Sequence, residues 1–341
     1  MPSPTIRRLG AAEVVRLARA SFGPSTTVIE CAELTGGGFA AVWRVRLADG
    51  RRTVLKVSPP PDVPLLAYER DLIAAEAGYY RLVATRLPGA PVPAVLHHGT
   101  DRSVLDTDWL FTAFLPGTPL AEWHRRHPAL DDAPVRRQLG ALVARLHTVT
   151  GPRFGYPGSR AHGSTWAQAF TAMIDELLDD GARWAVELPA SPERIRDLVV
   201  RHAGILDLVA RPALVHFDLW DGNVLAHPGA DGTARLTGLV DGERYLFGDP
   251  LFDLVSPALF SRIEDDPQHP FLTGYTGGAD LPSWLDGAAR RRLALYRMHL
   301  YLLMTVEMPS RGMTGETDRP RYDLTTRLLD EELTVLGRPL P

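Results

Sequence analysis

A histidine, an aspartate two residues on and an asparagine five residues beyond that stand in the run Leu214-Val215-His216-Phe217-Asp218-Leu219-Trp220-Asp221-Gly222-Asn223, bracketed by apolar, strand-like residues. This set suits phosphoryl transfer, in which catalysis rests on positioning and charge neutralisation. The aspartate accepts or orients the proton of an attacking hydroxyl, while the asparagine amide oxygen holds a metal ion that neutralises charge on the β- and γ-phosphates. After Val224-Leu225-Ala226-His227, the turn signal Pro228-Gly229-Ala230-Asp231-Gly232 and the run Ala234 to Val240 bring the chain back as a hairpin ending on Asp241. That return sets Asp241 beside Asn223, so a carboxylate and an amide can ligate one hard cation through oxygen. Taken singly, each residue has an ordinary reading: an aspartate at a strand end caps or turns the chain, and a histidine beside it is a structural hydrogen-bond partner.

The same chemistry needs a cation on the phosphates. Lys56 is the only lysine among 37 lysines and arginines, and it lies in Thr53-Val54-Leu55-Lys56-Val57, shortly after Gly36-Gly37-Gly38. A chain that uses arginine at every other cationic position but keeps this one lysine suggests a site for a compact ammonium on a flexible stem. ATP α/β-phosphates under a glycine-rich flap are such a site.

These residues need elements to position them. Strand-like runs at Val28 to Leu34, Ala40 to Leu47 and Arg52 to Val57, the last two joined by Ala48-Asp49-Gly50, describe a small antiparallel sheet with the glycines at its first turn. An amphipathic helix over Ile6 to Phe22 precedes it, and a helix over Leu65 to Ala84 follows, carrying Glu69 and Glu76 as acidic candidates. Val92 to His98 and Trp109 to Phe114 read as two more strands, and Leu115-Pro116-Gly117 as a hinge. From Leu120 the pattern is mainly helical: Pro134 to Thr148, Thr165 to Asp180, Pro192 to Ala210, Gly287 to Met308 and Leu324 to Leu336, interrupted by the β-like Leu214 to Val240. The 341 residues accordingly divide into a first unit over 1–114 and a second over 115–341.

Composition narrows the classes. A formal net charge of −4 without a lysine/arginine block argues against a nucleic-acid partner. One cysteine, Cys31, excludes an intrachain disulfide framework and a cysteine-based zinc cluster. No window approaches a membrane span, and the first helix lacks a leader pattern, so a cytoplasmic protein without a membrane partner is expected.

Glycine turn, strand lysine, helical glutamate, hinge, HxDxxxxN, hairpin and aspartate occur in the order of the kinase signature set. The chain resembles the aminoglycoside phosphotransferase family in the broad sense, which shares a bilobal protein-kinase-like fold with choline and fructosamine kinases. The resemblance runs from the first strand to about Pro257. It implies an α+β fold: a small N-lobe with an antiparallel sheet and helices, and a larger, mainly helical C-lobe. It implies ATP held by Gly36, Gly37, Gly38 and Lys56, the lysine on the α/β-phosphates, with adenine against Thr112, Ala113 and Phe114. Asp218 would be the catalytic base, and Asn223 and Asp241 the ligands of Mg2+. Glu76 fits best as the partner of Lys56, with Glu69 as the alternative. Gly248-Asp249-Pro250-Leu251-Phe252-Asp253-Leu254 matches the family's structural segment, and Phe154-Gly155-Tyr156 also fits.

Three departures stand out. Phe217 occupies a position where many relatives have glycine, Gly242-Glu243 follows Asp241, and no activation loop follows, which argues against a kinase acting on proteins. Trp220 is similar to the fructosamine-kinase version of the motif.

At the acceptor end, Glu264, Asp265, Asp266, Asp280, Asp286 and Glu307 would favour a cationic acceptor such as an amino sugar, unless they are solvated loop residues; Trp220, Tyr275 and Trp284 could face a sugar ring. The expectation is an ATP-dependent phosphotransferase acting on a small-molecule hydroxyl, an aminoglycoside or other amino sugar, with a fructosamine, sugar or choline-type kinase as one alternative and a non-catalytic nucleotide-binding module as another.

Overall fold

The computed structural model describes residues 3–34, 37–278 and 285–339. Helix α1 (Ala11–Phe22) starts five residues later than its amphipathic pattern suggests, just after Gly10, whose N–H is taken by the Glu13 carboxylate at 2.9 Å. It packs on a five-stranded antiparallel sheet formed by β1 (Val28–Glu33), β2 (Ala41–Leu47), β3 (Arg52–Val57), β4 (Val95–Gly99) and β5 (Trp109–Ala113), in the order β1-β2-β3-β5-β4. Strand alternation decides which face each residue serves. Val45, Leu47, Leu55 and Val57 join Val14, Leu17 and Ala18 of α1 in one core. Lys56 therefore points to the opposite face, where α2 (Leu72–Arg86) lies on Phe39, Ala40 and Leu110.

The helix expected from Leu65 is broken. A 3-10 turn over Ala67–Glu69 comes first, and Asp71 is left-handed at φ 57° before α2 begins. The cause is tertiary: this segment is fastened to residues far along the chain. Ala67 N–H donates to Asp180 Oδ2 (2.6 Å), Arg160 to the Tyr68 carbonyl (3.2 Å), Tyr68 Oη to Glu307 Oε2 (3.0 Å), and buried Glu69 pairs with Arg311. Tyr79, Tyr80 and Val83 of α2 belong to the largest core, which they share with residues from Leu120 onward. Helix α2 thus lies between two cores.

After β5 the chain enters β6 (Thr118–Pro119), which pairs with the hairpin β10 (Val224–Pro228) and β11 (Ala234–Leu239). Helices α3 (Leu120–Arg126) and α4 (Ala133–Leu146) pack on it, and α5 (Trp166–Arg183), α6 (Pro192–Arg201) and α7 (Ala203–Leu206) follow in the chain. The single helix expected over 192–210 breaks at His202, whose Nδ1 contacts the Leu198 carbonyl (2.7 Å). A small sheet of β7 (Phe154–Gly155), β8 (His162–Gly163), β9 (Ala213–Val215) and β12 (Leu246–Gly248) leads into the HxD segment. Helices α8 (Pro270–Tyr275), α9 (Gly287–Ser310) and α10 (Arg319–Gly337) close the chain, α9 being buried along nearly its whole length. Among the described residues, no helix is long and apolar enough to cross a membrane.

Candidate active site

Lys56 lies between two carboxylates: its Nζ donates to Glu76 Oε1 at 2.7 Å and also bonds Asp241 Oδ1. Burial alone would lower the lysine pKa, but Asp241, Glu76 and Glu243 outweigh it and hold the ammonium well above the ordinary lysine value. Burial pushes Glu76 up against the opposing pull of Lys56, whereas for Asp241 the lysine wins over burial and the carboxyl stays below its usual range. Glu69, the alternative partner, is held away by Arg311. Tyr80, one helical turn after Glu76, joins the three charges: its hydroxyl donates to Glu76 Oε1 (2.5 Å) and accepts the Asp241 N–H (3.0 Å). The i, i+4 spacing of Glu76 and Tyr80 was the signal in the sequence that could have revealed it.

Asp241 is left-handed (φ 60°), a conformation that aspartate tolerates better than most residues. Gly242 after it is required by packing, because a Cβ there would lie 2.1 Å from the Tyr79 ring.

The loop carrying Asp218 is built around one fully buried carboxylate. Asp253 accepts the N–H groups of His216 (3.0 Å) and Phe217 (2.6 Å), and His147 Nε2 lies 3.0 Å from its Oδ2. His147 Nδ1 contacts the Tyr275 hydroxyl in turn (2.8 Å). Phe217 is left-handed at φ 71°, a conformation that glycine adopts without a steric cost and a bulky residue does not. Its ring offsets that strain by stacking on Phe252 (4.6 Å, 15°) and meeting His299 edge-on (5.3 Å). His216 Nδ1 accepts the Asp218 N–H (3.3 Å) and its Nε2 faces the Val240 carbonyl (3.1 Å), a neutral tautomer assigned from its partners; burial holds its pKa below the usual value. His216 is therefore a brace between loop and hairpin.

Asp218 is half-buried. Burial raises its pKa, and the charge of Arg244 is the largest opposing influence. Arg244 follows Asp241 by three residues, donates to Glu307 Oε2 (3.2 Å) and lies over the Tyr68 ring (5.3 Å). Nothing in the sequence singled out Arg244. Glu243, noted there only as a departure, is pushed up to about 7 by burial against the pull of Lys56.

Asn223 Nδ2 donates to the Asp218 carbonyl (2.9 Å), which leaves the amide oxygen as its atom for a cation. Val240 N–H donates to the Asn223 carbonyl (3.0 Å), so the hairpin return does place Asp241 next to Asn223. Among the described residues no group of three or more His, Cys, Asp or Glu is suited to a metal. One carboxylate and one amide oxygen nonetheless fit magnesium, which takes one or two protein ligands together with phosphate oxygens and water.

Other expected site residues are placed differently. Gly37 and Gly38 form a bend between β1 and β2 with open space where a Cβ would be; Gly36 lies outside the described residues, as do Asp280 and Trp284. At the expected adenine edge, Ala113 N–H is bonded to the Ala94 carbonyl (2.8 Å) and Phe114 N–H to the Arg52 carbonyl (3.0 Å), while Thr112 sits buried in the sheet. Those two N–H groups are thus taken from any base contact. Glu264 is corrected: it is 3% exposed and paired with Arg297 at 2.8 Å, so it has no free charge for an acceptor. Asp265 pairs with Arg290 at the surface. Tyr275 is partly buried, with its ring stacked on Phe271 and its hydroxyl 2.8 Å from His147 Nδ1. Glu307 is enclosed by Arg244, Arg311 and Arg321. Trp220 remains exposed beside Asp218.

The family model described as "Phosphotransferase enzyme family" matches residues 30–296, well over half of the chain. The chain belongs to this family. Its relatives include an aminoglycoside 3'-phosphotransferase of Streptomyces fradiae, 28% identical over 193 residues (52% of this chain and 62% of that protein). They also include a probable ketoamine kinase of Escherichia coli (strain K12), 29% identical over 265 residues (74% and 79%). The chain thus spans less than two thirds of the first relative. Among solved structures, a thermostable mutant of an aminoglycoside phosphotransferase in ternary complex with AMP-PNP and hygromycin B superposes with a TM-score of 0.60 at 17% identity, covering 96% of this chain and 100% of that one. The phosphotransferase family fold is therefore the kinase-like α+β architecture, and the family's relatives of both kinds are kinases.

Proposed function

We propose that this chain transfers the γ-phosphate of ATP to a hydroxyl of a small molecule, with residues 1–114 holding the nucleotide and 115–341 supplying the catalytic loop and the acceptor site. The observation that carries the reading is the convergence of Lys56, Glu76 and Asp241 next to the Asn223–Asp218 loop. In this scheme Lys56, kept protonated by its carboxylate neighbours, holds the α/β-phosphates. Ionised Asp218 accepts the acceptor's hydroxyl proton as that oxygen bonds to the γ-phosphorus and the bond to the bridging oxygen of ADP breaks. Asn223 and Asp241 would hold magnesium, which supplies charge neutralisation on the phosphates. His216 keeps the Asp218 segment in place, and the charge of Arg244 opposes the burial-driven rise of the Asp218 pKa.

The acceptor we assign is an amine-bearing sugar derivative, an aminoglycoside by the S. fradiae relative. A ketoamine is the second reading, favoured by the longer span of the E. coli match and by Trp220 in the catalytic loop. The test is magnesium-dependent ADP release with hygromycin B, gentamicin, a glycated lysine and choline as acceptors, for the wild type and Asp218→Asn. Turnover with one acceptor, abolished in D218N while nucleotide affinity is retained, is the expected result. Nucleotide binding without turnover on any acceptor would favour a non-catalytic module, and D218N turning over like wild type would remove Asp218 as the base.

A further inference from the structure

Phe260 is held at φ 70°, the left-handed region that a bulky L-residue avoids, and 42% of it faces solvent. Neither backbone nor burial favours phenylalanine there. Such a local conflict marks places where function overrides folding. A turn produces the geometry: Ser261 N–H and Oγ both donate to the Ala258 carbonyl (2.9 Å each), and Phe260 is thrown outward.

The location of this turn gives it meaning. Ser256 Oγ, four residues before Phe260, accepts the Leu219 N–H at 3.0 Å, which fastens this segment to the residue next to Asp218. Trp220, on the other side of Leu219, is 41% exposed. Its ring is folded over Gly222, where a Cβ would lie 2.1 Å from the indole, so the loop has made room for it. Among the described residues the large exposed apolar side chains are Ile29, Leu34, Leu96, Val200, Leu208, Trp220 and Phe260. The aliphatic ones lie elsewhere, on the first sheet or around α6 and α7. The two aromatic ones occupy the two segments joined at Leu219.

We propose that Phe260 is an acceptor-specificity residue: with Trp220 it forms an aromatic rim at the mouth of the Asp218 site and takes the apolar face of a sugar ring. This rests on the phosphotransferase reading above. An aromatic face suits a saturated ring, whose C–H face is apolar while its hydroxyls stay free for Asp218. Choline offers no such ring face.

The test uses Phe260→Gly, in which the left-handed backbone is unstrained, and Phe260→Asn, which tolerates it. Steady-state kinetics are measured with whichever of hygromycin B, gentamicin or glycated lysine the wild type phosphorylates, together with the melting temperature. Both variants are expected to melt at or above the wild-type temperature, to raise KM for the acceptor about tenfold, in line with the loss of one aromatic contact, and to leave KM for ATP within twofold. Leu208→Ala is the control for an exposed apolar residue away from the loop and changes neither KM. Acceptor KM within twofold of wild type in a folded F260G overturns the proposal and leaves the phosphotransferase reading intact. An equal rise in both KM values also overturns it, because the ring would then be acting on the whole site. Wild-type turnover on choline alone overturns the proposal and keeps the phosphotransferase reading, and no turnover on these three or on choline removes both.

Discussion

Replacing Asp253 by asparagine tests whether one buried carboxylate shapes the loop that carries Asp218, the proposed base. Its Oδ2 takes the His216 N–H and faces His147 Nε2, and its Oδ1 takes the Phe217 N–H at 2.6 Å. An asparagine can keep the Oδ2 side as its carbonyl, but its NH2 then opposes the Phe217 N–H. One short, charge-assisted hydrogen bond is lost and a buried donor is left facing a donor, which costs about 2–3 kcal/mol. At about 2 °C per kcal/mol for a chain of this size, the melting temperature should fall by about 4–6 °C. The kinetic effect is larger in relative terms. Phe217 loses the bond that steadies its left-handed backbone, and Asp218 is the next residue. A shift of about 1 Å in a catalytic group costs about 100-fold in rate. The expected outcome in a coupled ADP-release assay is therefore kcat down about 100-fold with KM for ATP nearly unchanged, since Lys56, Glu76 and Asp241 do not touch Asp253. A D253N enzyme with kcat within threefold of wild type and an unshifted melting curve would falsify this account.

Two further outcomes follow from the same geometry. Arg244→Met removes the largest influence opposing the burial-driven rise of the Asp218 pKa. As the proposed base, Asp218 works only when ionised, so the acid limb of the kcat profile should move to higher pH; a limb that stays or moves down contradicts the role given to Arg244. Phe217→Gly relieves a left-handed backbone worth about 1–2 kcal/mol but removes a ring stacked on Phe252 and His299, a truncation that costs about 3–5 kcal/mol. The net is a loss of about 2 kcal/mol in urea unfolding, and equal or higher stability would show that the ring does not offset the strain.

Much of this protein was legible in one dimension. The order of Lys56, Glu76, Asp218, Asn223 and Asp241, and the hairpin that returns Asp241 to Asn223, could be read because each rests on a local rule: strand alternation, helix periodicity, turn chemistry. Choosing Glu76 over Glu69 was a matter of distance along one helix, and it matches the geometry. Elements broken by remote partners were not legible. The turn at Ala67–Glu69 depends on Asp180, Glu307 and Arg311, far away in the chain. The acidic residues at 264–265 looked like free charge because their partners, Arg297 and Arg290, lie on a helix that only tertiary packing brings near.

By itself the sequence determined the identity and order of the groups able to handle a phosphate, since chemistry of that kind needs particular atoms at particular spacings. Tertiary structure decided what each group's charge is worth. Lys56 is held protonated because two carboxylates from α2 and the end of β11 converge on it, and Asp218 is tuned by an arginine whose own place is set by Glu307 on α9. Electrostatic strength depends on separation and burial. Both are properties of the folded chain.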